Sequence, residues 1–288
     1  MSSGTNQSLT PMRAAWRRLM RNRLNAWALG FLAVLVLLCG IGPELSPYDQ
    51  SLQNLELKAT NPSLTHWLGT DPLGRDMFTR ILHGGRVSLE VGLLATAVAA
   101  IIGVFYGMVS GLAGGRTDAA MMRIVDILYA FPFINFVILL MAIVGREFWL
   151  IFVAIGAVEW LTVARIVRGQ VLSLRKQEFI EAAIALGLRK RAIILRHLVP
   201  NVLGITIIYA TLTVPSVMLL EAALSFLGFG VQPPMSSLGV LIDEGAKVIE
   251  EFPWLLIFPG VVFSVTLFSL NFLGDGLRDA LDPKAAKD

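Results

Sequence analysis

The chain has 288 residues, of which 55% are hydrophobic and only 16% charged, and its mean hydropathy is +0.69. That much apolar side chain cannot all be hidden inside a soluble body of this size. It also excludes a disordered or nucleic-acid-binding chain, in spite of a net charge of +3 and an isoelectric point near 9.2. The natural solvent for such a composition is a bilayer.

A spanning helix needs about 20 residues with few or no charges, so gaps between charges mark the elements in chain order. Residues 1–23 form a basic segment, and a first span of 20 uncharged residues follows over 24–43. Its apolar run is longer than that of a signal peptide, and Ile41-Gly42-Pro43 offers no small-x-small cleavage site, so it reads as a retained anchor. An external loop is expected over 44–86. Further spans lie between Glu90 and Arg116, Asp126 and Arg146, Arg196 and Glu221, and Glu251 and Asp275, and Phe148 to Ala164 is apolar except for Glu159. The expectation is an all-α polytopic membrane protein with six transmembrane helices.

Six spans put both ends on one side. With the N-terminus inside, all of the 24 Lys and Arg residues but Lys58, Arg75, Arg80, Arg86, Arg146 and Lys247 fall on the inner side, which places both termini in the cytoplasm. Trp27, Trp149 and Trp254 fall at the interfacial starts of their spans. No Gly is followed by Lys and no His by Glu, so the chain carries neither a phosphate-binding G-x-x-x-x-G-K-[ST] loop nor an H-E-x-x-H zinc site. If it serves an ATP-driven process, the ATP binds elsewhere. His66 and His83 lack partners at metal-ligand spacing.

The strongest motif lies in the inner loop: Glu181-Ala182-Ala183-Ile184-Ala185-Leu186-Gly187, then a basic stretch, then His197-Leu198-Val199-Pro200. Glu178 to Leu186 is rich in helix formers, Gly187 suits a left-handed helix end, and Lys190 to Leu198 resumes as helix until Pro200. Ala182 and Ala183 leave a flat surface beside Glu181, an acceptor for an arginine: a docking knob. An amphipathic helix lying at the lipid headgroups is the alternative.

These residues resemble the EAA loop of ATP-binding-cassette importer permeases, with His197 where the general pattern has Ile. Leu68-Gly69-Thr70-Asp71-Pro72-Leu73-Gly74-Arg75-Asp76, Ser225-Phe226-Leu227-Gly228-Phe229-Gly230 with Pro233-Pro234, and Gly274 to Pro283 resemble the C-type permease of dipeptide and oligopeptide importers. The oligopeptide version is the nearest match, through Ala164 to Gln170 and Glu178 to Ala183. The resemblance implies a type I importer permease fold, with a five-helix core over 87–282, a coupling loop over 175–200 and a cytoplasmic tail over 283–288. It implies a non-catalytic subunit of a bacterial inner membrane, without cofactor of its own. Its partners would be a homologous second permease, two ATPase subunits binding ATP and Mg, an external peptide-binding protein, the peptide substrate and membrane lipid, with no nucleic acid. Glu181, Ala182, Ala183, Gly187, His197 and Pro200 would couple to the ATPases. Nickel, glutathione or antimicrobial-peptide import on the same scaffold, and an ATPase-independent channel or secondary transporter, are the alternatives.

Other residues are read from their setting. Ala95, Ala99, Gly103, Gly107 and Gly111 form one small-residue stripe, a packing seam facing either this chain or a partner. Pro132, Pro215 and Pro259 interrupt spans three, five and six, each freeing a backbone carbonyl one turn earlier and bending the helix, as a hinge or as a static kink, and Pro215 is a candidate for the translocation path. Glu159 either lines that path, pairs with Arg165 or another basic residue, or is a protonated acid. Asp126 suits a local pair with Arg123. Glu221, a further path candidate, sits near the outer end of span five and is expected to be hydrated. Asp243, Glu244, Glu250 and Glu251 against Lys247 make the last outer loop acidic, either a solvated face or a docking surface for a substrate-delivering protein. Cys39 reads as lipid- or helix-facing filler.

Overall fold

A computed structural model of the chain describes residues 11–145 and 147–281. Arg146, residues 1–10, and Asp282 and Pro283 with the expected tail over 283–288 lie outside the described residues. The helices run α1 Pro11–Arg21, α2 Arg23–Leu45, α3 Met77–Ala113, α4 Gly115–Ala130, α5 Phe133–Val144, α6 Phe148–Leu174, α7 Glu178–Ala185, α8 Lys190–Ile193, α9 Val199–Phe226, α10 Leu238–Ala246 and α11 Trp254–Leu281. A π-helical turn, Ile194–Leu198, joins α8 to α9. No strand occurs among the described residues, in keeping with the all-α expectation.

Among the described residues five helices are long and apolar enough to cross a membrane: α2, α3, α6, the rod from Arg191 to Phe226, and α11. The span expected between Asp126 and Arg146 falls on α4 and α5, a pair bent by 83° that makes a sixth candidate span when the two are taken together. The break has a local cause. Proline crowds the helical conformation out of the residue before it, and Phe131, preceding Pro132, sits at φ −78°, ψ 132°. Pro215 and Pro259 lie inside continuous helices.

The segment expected as a loop over 44–86 includes the end of α2, which runs to Leu45, and the start of α3, which Asp76 caps by accepting from the Thr79 backbone N–H at 2.8 Å. At 37 residues, α3 is the longest helix and, at 1.5 Å per residue, about 55 Å long, well beyond a hydrocarbon core of about 30 Å. The last outer loop, between α9 and α11, contains α10.

The small-residue stripe faces this chain's own α6. All five stripe residues are buried. A Cβ added at Gly103 would come within 2.5 Å of the Val163 Cβ, one at Gly107 within 2.9 Å of the Val167 Cβ, and one at Gly111 within 2.8 Å of the Val171 Cβ. Both helices thus offer a row of period four in parallel register, glycines on one and β-branched valines on the other. From α6, Gly156 returns the fit by lying against Val98 and the Ala95 carbonyl.

Electrostatics locks the far end of this seam. Asp118 of α4 accepts a two-pronged bond from Arg168 of α6, at 2.5 and 2.6 Å, and a further one from Ser110 of α3. Arg175 donates to the carbonyls of Gly111 and Leu112, closing the C-terminal end of α3. On the other flank, Gly274 of α11 lies against Leu212 of α9, and Gly276 against Asn25 of α2 and Leu19 of α1. Cys39 is helix-facing, its Sγ against Gly85.

The close fit at Gly107 involves backbone, the carbonyl of Ala164 and the N–H of Arg168, which cannot swing aside. Gly107→Val is therefore expected to destabilise the fold by about 1–3 kcal/mol, whereas Gly30→Ala, with nothing within 4 Å of the added methyl, is expected to cause no loss of stability. Thermal unfolding in detergent checks the pair, and equal midpoints would refute the seam.

Candidate functional site

The inner-loop motif folds as a short helix, a turn and a rod. After α6 ends, α7 starts within a few residues, and Ile180 and Ala183 turn inward to pack with Val171, Leu174, Leu198 and Val202 at the ends of α6 and α9. Residues three and four apart share a helix face, so Glu178, Glu181, Ala182 and Ala185 point the other way, and all four are exposed. This corrects one expectation: Ala183 belongs to the packed face. The flat exposed surface is made by Ala182 and Ala185.

Neither Glu178 nor Glu181 forms an ion pair among the described residues. Leu186, at the C-terminal end of the same helix, is 80% exposed, an apolar tip that the motif reading passed over. The result is a face of two free carboxylates and two methyl groups with a leucine at its edge, suited to a groove that offers cations around an apolar floor.

Gly187 has the expected left-handed backbone, φ +73°. Beyond it the structure departs from expectation. The second helix does not stop at Pro200 but continues from α8 through the π turn into α9, so that 191–226 is one rod. The π turn explains how. A proline ring clashes with the carbonyl four residues back, and here the N–H of Val199 reaches five back to the carbonyl of Ile194, widening the helix just before Pro200 enters. Asn201 donates its side-chain amide to the His197 carbonyl at 2.7 Å. The His197 ring is half-buried and lies 6.1 Å from that of Phe179, tying the π turn to α7.

The residues considered for a translocation path do not gather into one cluster. Glu159 is half-buried in α6 and has no hydrogen-bond partner among the described residues. Arg165, its alternative partner, instead donates to Asp126 at 2.8 Å and stacks over Tyr129 at 4.3 Å. Asp126 therefore pairs across helices with Arg165, and the expected pair with Arg123 is corrected. Pro215 is buried within α9.

Glu221 is not hydrated, as expected, but fully buried, at 0% exposure. It accepts from Ser225 at 2.9 Å and from Ser237 at 2.6 Å, and Ser237 also caps α10 through the Val240 N–H. The position of a residue near the end of a span says nothing of what covers it. Here α10 does, seated on α9 through Gly239 against Ala222.

The opposite end of the spans carries a second polar assembly. Asp71, buried, accepts from Arg75 Nε at 2.6 Å and Arg80 Nη1 at 2.8 Å, and Arg80 also reaches Glu244 of α10 at 2.8 Å. Asp76 takes His66 Nδ1 at 2.9 Å besides capping α3. Trp254 packs against Gly69. The acidic loop is thus partly neutralised: Glu244 is held by arginines and Asp243 by Lys247, leaving Glu250 and Glu251 exposed. Sequence reading quoted Asp71, Arg75 and Asp76 without finding their partners, since Arg80 to Glu244 spans 164 positions.

Comparison with known proteins bears on the whole chain. The family model described as "Binding-protein-dependent transport system inner membrane component" matches residues 101–287. That described as "N-terminal TM domain of oligopeptide transport permease C" matches residues 10–62. The chain is 48% identical to the oligopeptide transport system permease protein OppC of Haemophilus influenzae, over 94% of this chain and 88% of that one. It is 49% identical to OppC of Escherichia coli strain K12, over 94% and 90%, and 45% identical to the dipeptide transport system permease protein DppC of Bacillus subtilis, over 96% and 87%.

The angle between α7 and the rod depends on the left-handed turn at Gly187, a conformation that costs an L-residue about 1–2 kcal/mol. Gly187→Val is expected to speed amide exchange across residues 178–198 about tenfold while leaving that of α3 and α6 unchanged. Hydrogen-exchange mass spectrometry reads both, and unchanged exchange across 178–198 would show that the turn does not set the angle.

Proposed function

The chain belongs to the family of binding-protein-dependent transport system inner membrane components, and on that premise we propose that it is a permease subunit of an ATP-binding-cassette importer for peptides. The substrate class rests on its likeness to permeases named for oligopeptide and dipeptide transport. A homologous permease would supply the other half of the path, two ATPase subunits would bind ATP and Mg, and an external binding protein would deliver the peptide. This chain would do no chemistry itself.

One observation carries the coupling role. The exposed Glu181-Ala182-Ala185 face sits on a helix packed against α6 and α9 and linked through Gly187 to a rod that enters the membrane without a break. A force applied to α7 would therefore reach α9 as a rigid displacement. Closure of an ATPase pair gripping α7 would tilt α9 and, through Gly274 against Leu212, bear on α11. ATP would then favour one of two global states through its differential hold on α7. In this reading α7 and both chain ends lie in the cytoplasm, because Arg17, Arg18, Arg21, Arg23, Arg175, Arg189, Arg191, Arg196 and Arg278 all fall at the α7 end of the spans.

Glu159 remains the acid for a translocation path. It is a half-buried carboxylate without a partner among the described residues, and such a group in a span faces a cavity or another subunit. Pro215 would allow α9 to bend as that path opens. Glu221, buried beneath α10, would serve by holding α10 on α9, not by touching peptide.

Glu181→Lys is expected to lower the stimulation of ATPase activity by loaded binding protein at least about tenfold in proteoliposomes, with full subunit assembly. Normal stimulation in an assembled complex would remove Glu181 from the coupling role. Glu159→Gln is expected to shift uptake rates between positively charged and neutral peptides without altering assembly; wild-type kinetics across both sets would take Glu159 out of the path.

A further inference from the structure

Residues 1–43 contain no Asp or Glu and five arginines, Arg13, Arg17, Arg18, Arg21 and Arg23. The last four are exposed, and none forms a hydrogen bond or ion pair among the described residues. They stand on α1 and at the start of α2, separated only by Asn22, whose side chain accepts from the Leu24 N–H and starts α2. Because α2 enters the membrane directly from this cap, α1 lies at the depth of the headgroups.

The helix is divided by function around its circumference. Leu19 is 3% exposed and packs against Gly276 of α11, which fixes α1 to the body. Trp16 and Met20, one turn apart, are 55% and 38% exposed and form an unpartnered apolar edge. Arg17 and Arg21, also one turn apart, with Arg18 beside them, form the adjoining cationic edge. The apolar edge leads onto Leu24 and Trp27 of α2, each 54% exposed, so it is continuous with the surface that α2 offers to the bilayer.

We propose that α1 is a binding site for anionic phospholipid, with Arg17, Arg18 and Arg21 holding the headgroup phosphate and Trp16 and Met20 entering the interface. Charge complementarity selects the anionic lipid, since unpaired guanidiniums on a segment without a carboxylate favour a headgroup of net negative charge. Continuity with the spanning surface selects a lipid over a soluble anion. Held in this way, α1 pins α11 at Gly276 and the entry of α2 to the membrane plane, a fixed point against which α9 moves.

The test uses the full-length protein with its co-purifying subunits, reconstituted in vesicles of equal parts phosphatidylcholine and phosphatidylglycerol, and counts retained lipids by native mass spectrometry. Wild type is expected to retain phosphatidylglycerol over phosphatidylcholine. Arg17→Gln with Arg18→Gln and Arg21→Gln, which leaves Arg13 and Arg23 to set orientation, is expected to reduce that preference on the order of 100-fold at low ionic strength, about fivefold per arginine. Replacement of the same three by Lys is expected to keep most of it, and raising the salt to weaken it in wild type. Equal retention of the two lipids by wild type, an undiminished preference in the triple Gln variant, or a preference insensitive to salt would each overturn the site. So would loss of a co-purifying subunit from the Gln variant with lipid preference intact, because the arginines would then serve a protein partner. These readouts involve neither peptide nor ATP, so they stand apart from the transport reading.

Discussion

Two helices in a bilayer gain little by hiding apolar surface from each other, because lipid chains are as apolar as leucine. What holds α3 to α6 is therefore close contact. Gly103, Gly107 and Gly111 bring the backbones near enough for Val163, Val167 and Val171 to seat in the row, and dispersion over that length replaces the hydrophobic effect. The Asp118 to Arg168 pair then closes the seam with a bond whose strength grows as the surroundings dry. The first loop, α10 and α7 are hung on this pair of helices. The first loop is capped onto the start of α3, α10 lies across it through Ser88 and Arg80, and α7 packs where α6 ends.

Against that pair, the rod from Arg191 to Phe226 is the element that the proposed coupling would move. It touches the seam through α3 and α6 but carries α7 at one end and α10, anchored by Glu221 and Ser237, at the other. A π turn in place of a break at Pro200 is what makes the two ends one lever. Had the helix stopped at proline, a displacement of α7 would have been absorbed in a loop. The kink at Phe131 and Pro132 has the opposite character, splitting its span into two short helices, with the α4 half tied to the seam by Asp118.

The two polar assemblies at the ends of the spans show how charge is managed near a bilayer. Asp71 is buried against two arginines, both of which also pair with Glu244, so a carboxylate inside the fold is surrounded by donors at every oxygen that faces protein. At the α7 end the arrangement differs. Asp118 and Asp126 are paired, whereas Glu178 and Glu181 are left open to solvent. Carboxylates that the fold has not paired are the ones available to a partner.

Composition and charge spacing alone determined the solvent of this protein, the number and order of its apolar segments, the helix-and-glycine character of the inner-loop motif and the small-residue stripe on α3. Those properties follow from local rules: a bilayer sets a length, a glycine permits a conformation, and a period of four makes a face. Partners were not legible, because a partner is a matter of distance in space. Asp126 looked nearest to Arg123 and was claimed by Arg165 from another helix; Glu221 looked hydrated and was covered by α10; Ala183 looked like part of a docking surface and was turned inward by the packing of α7 on α6 and α9. Whether Pro200 would end a helix was likewise decided by the π turn, whose cost is met by tertiary contacts of Leu198 and Val202. Local chemistry therefore set which elements exist, and packing set which of their faces remain free.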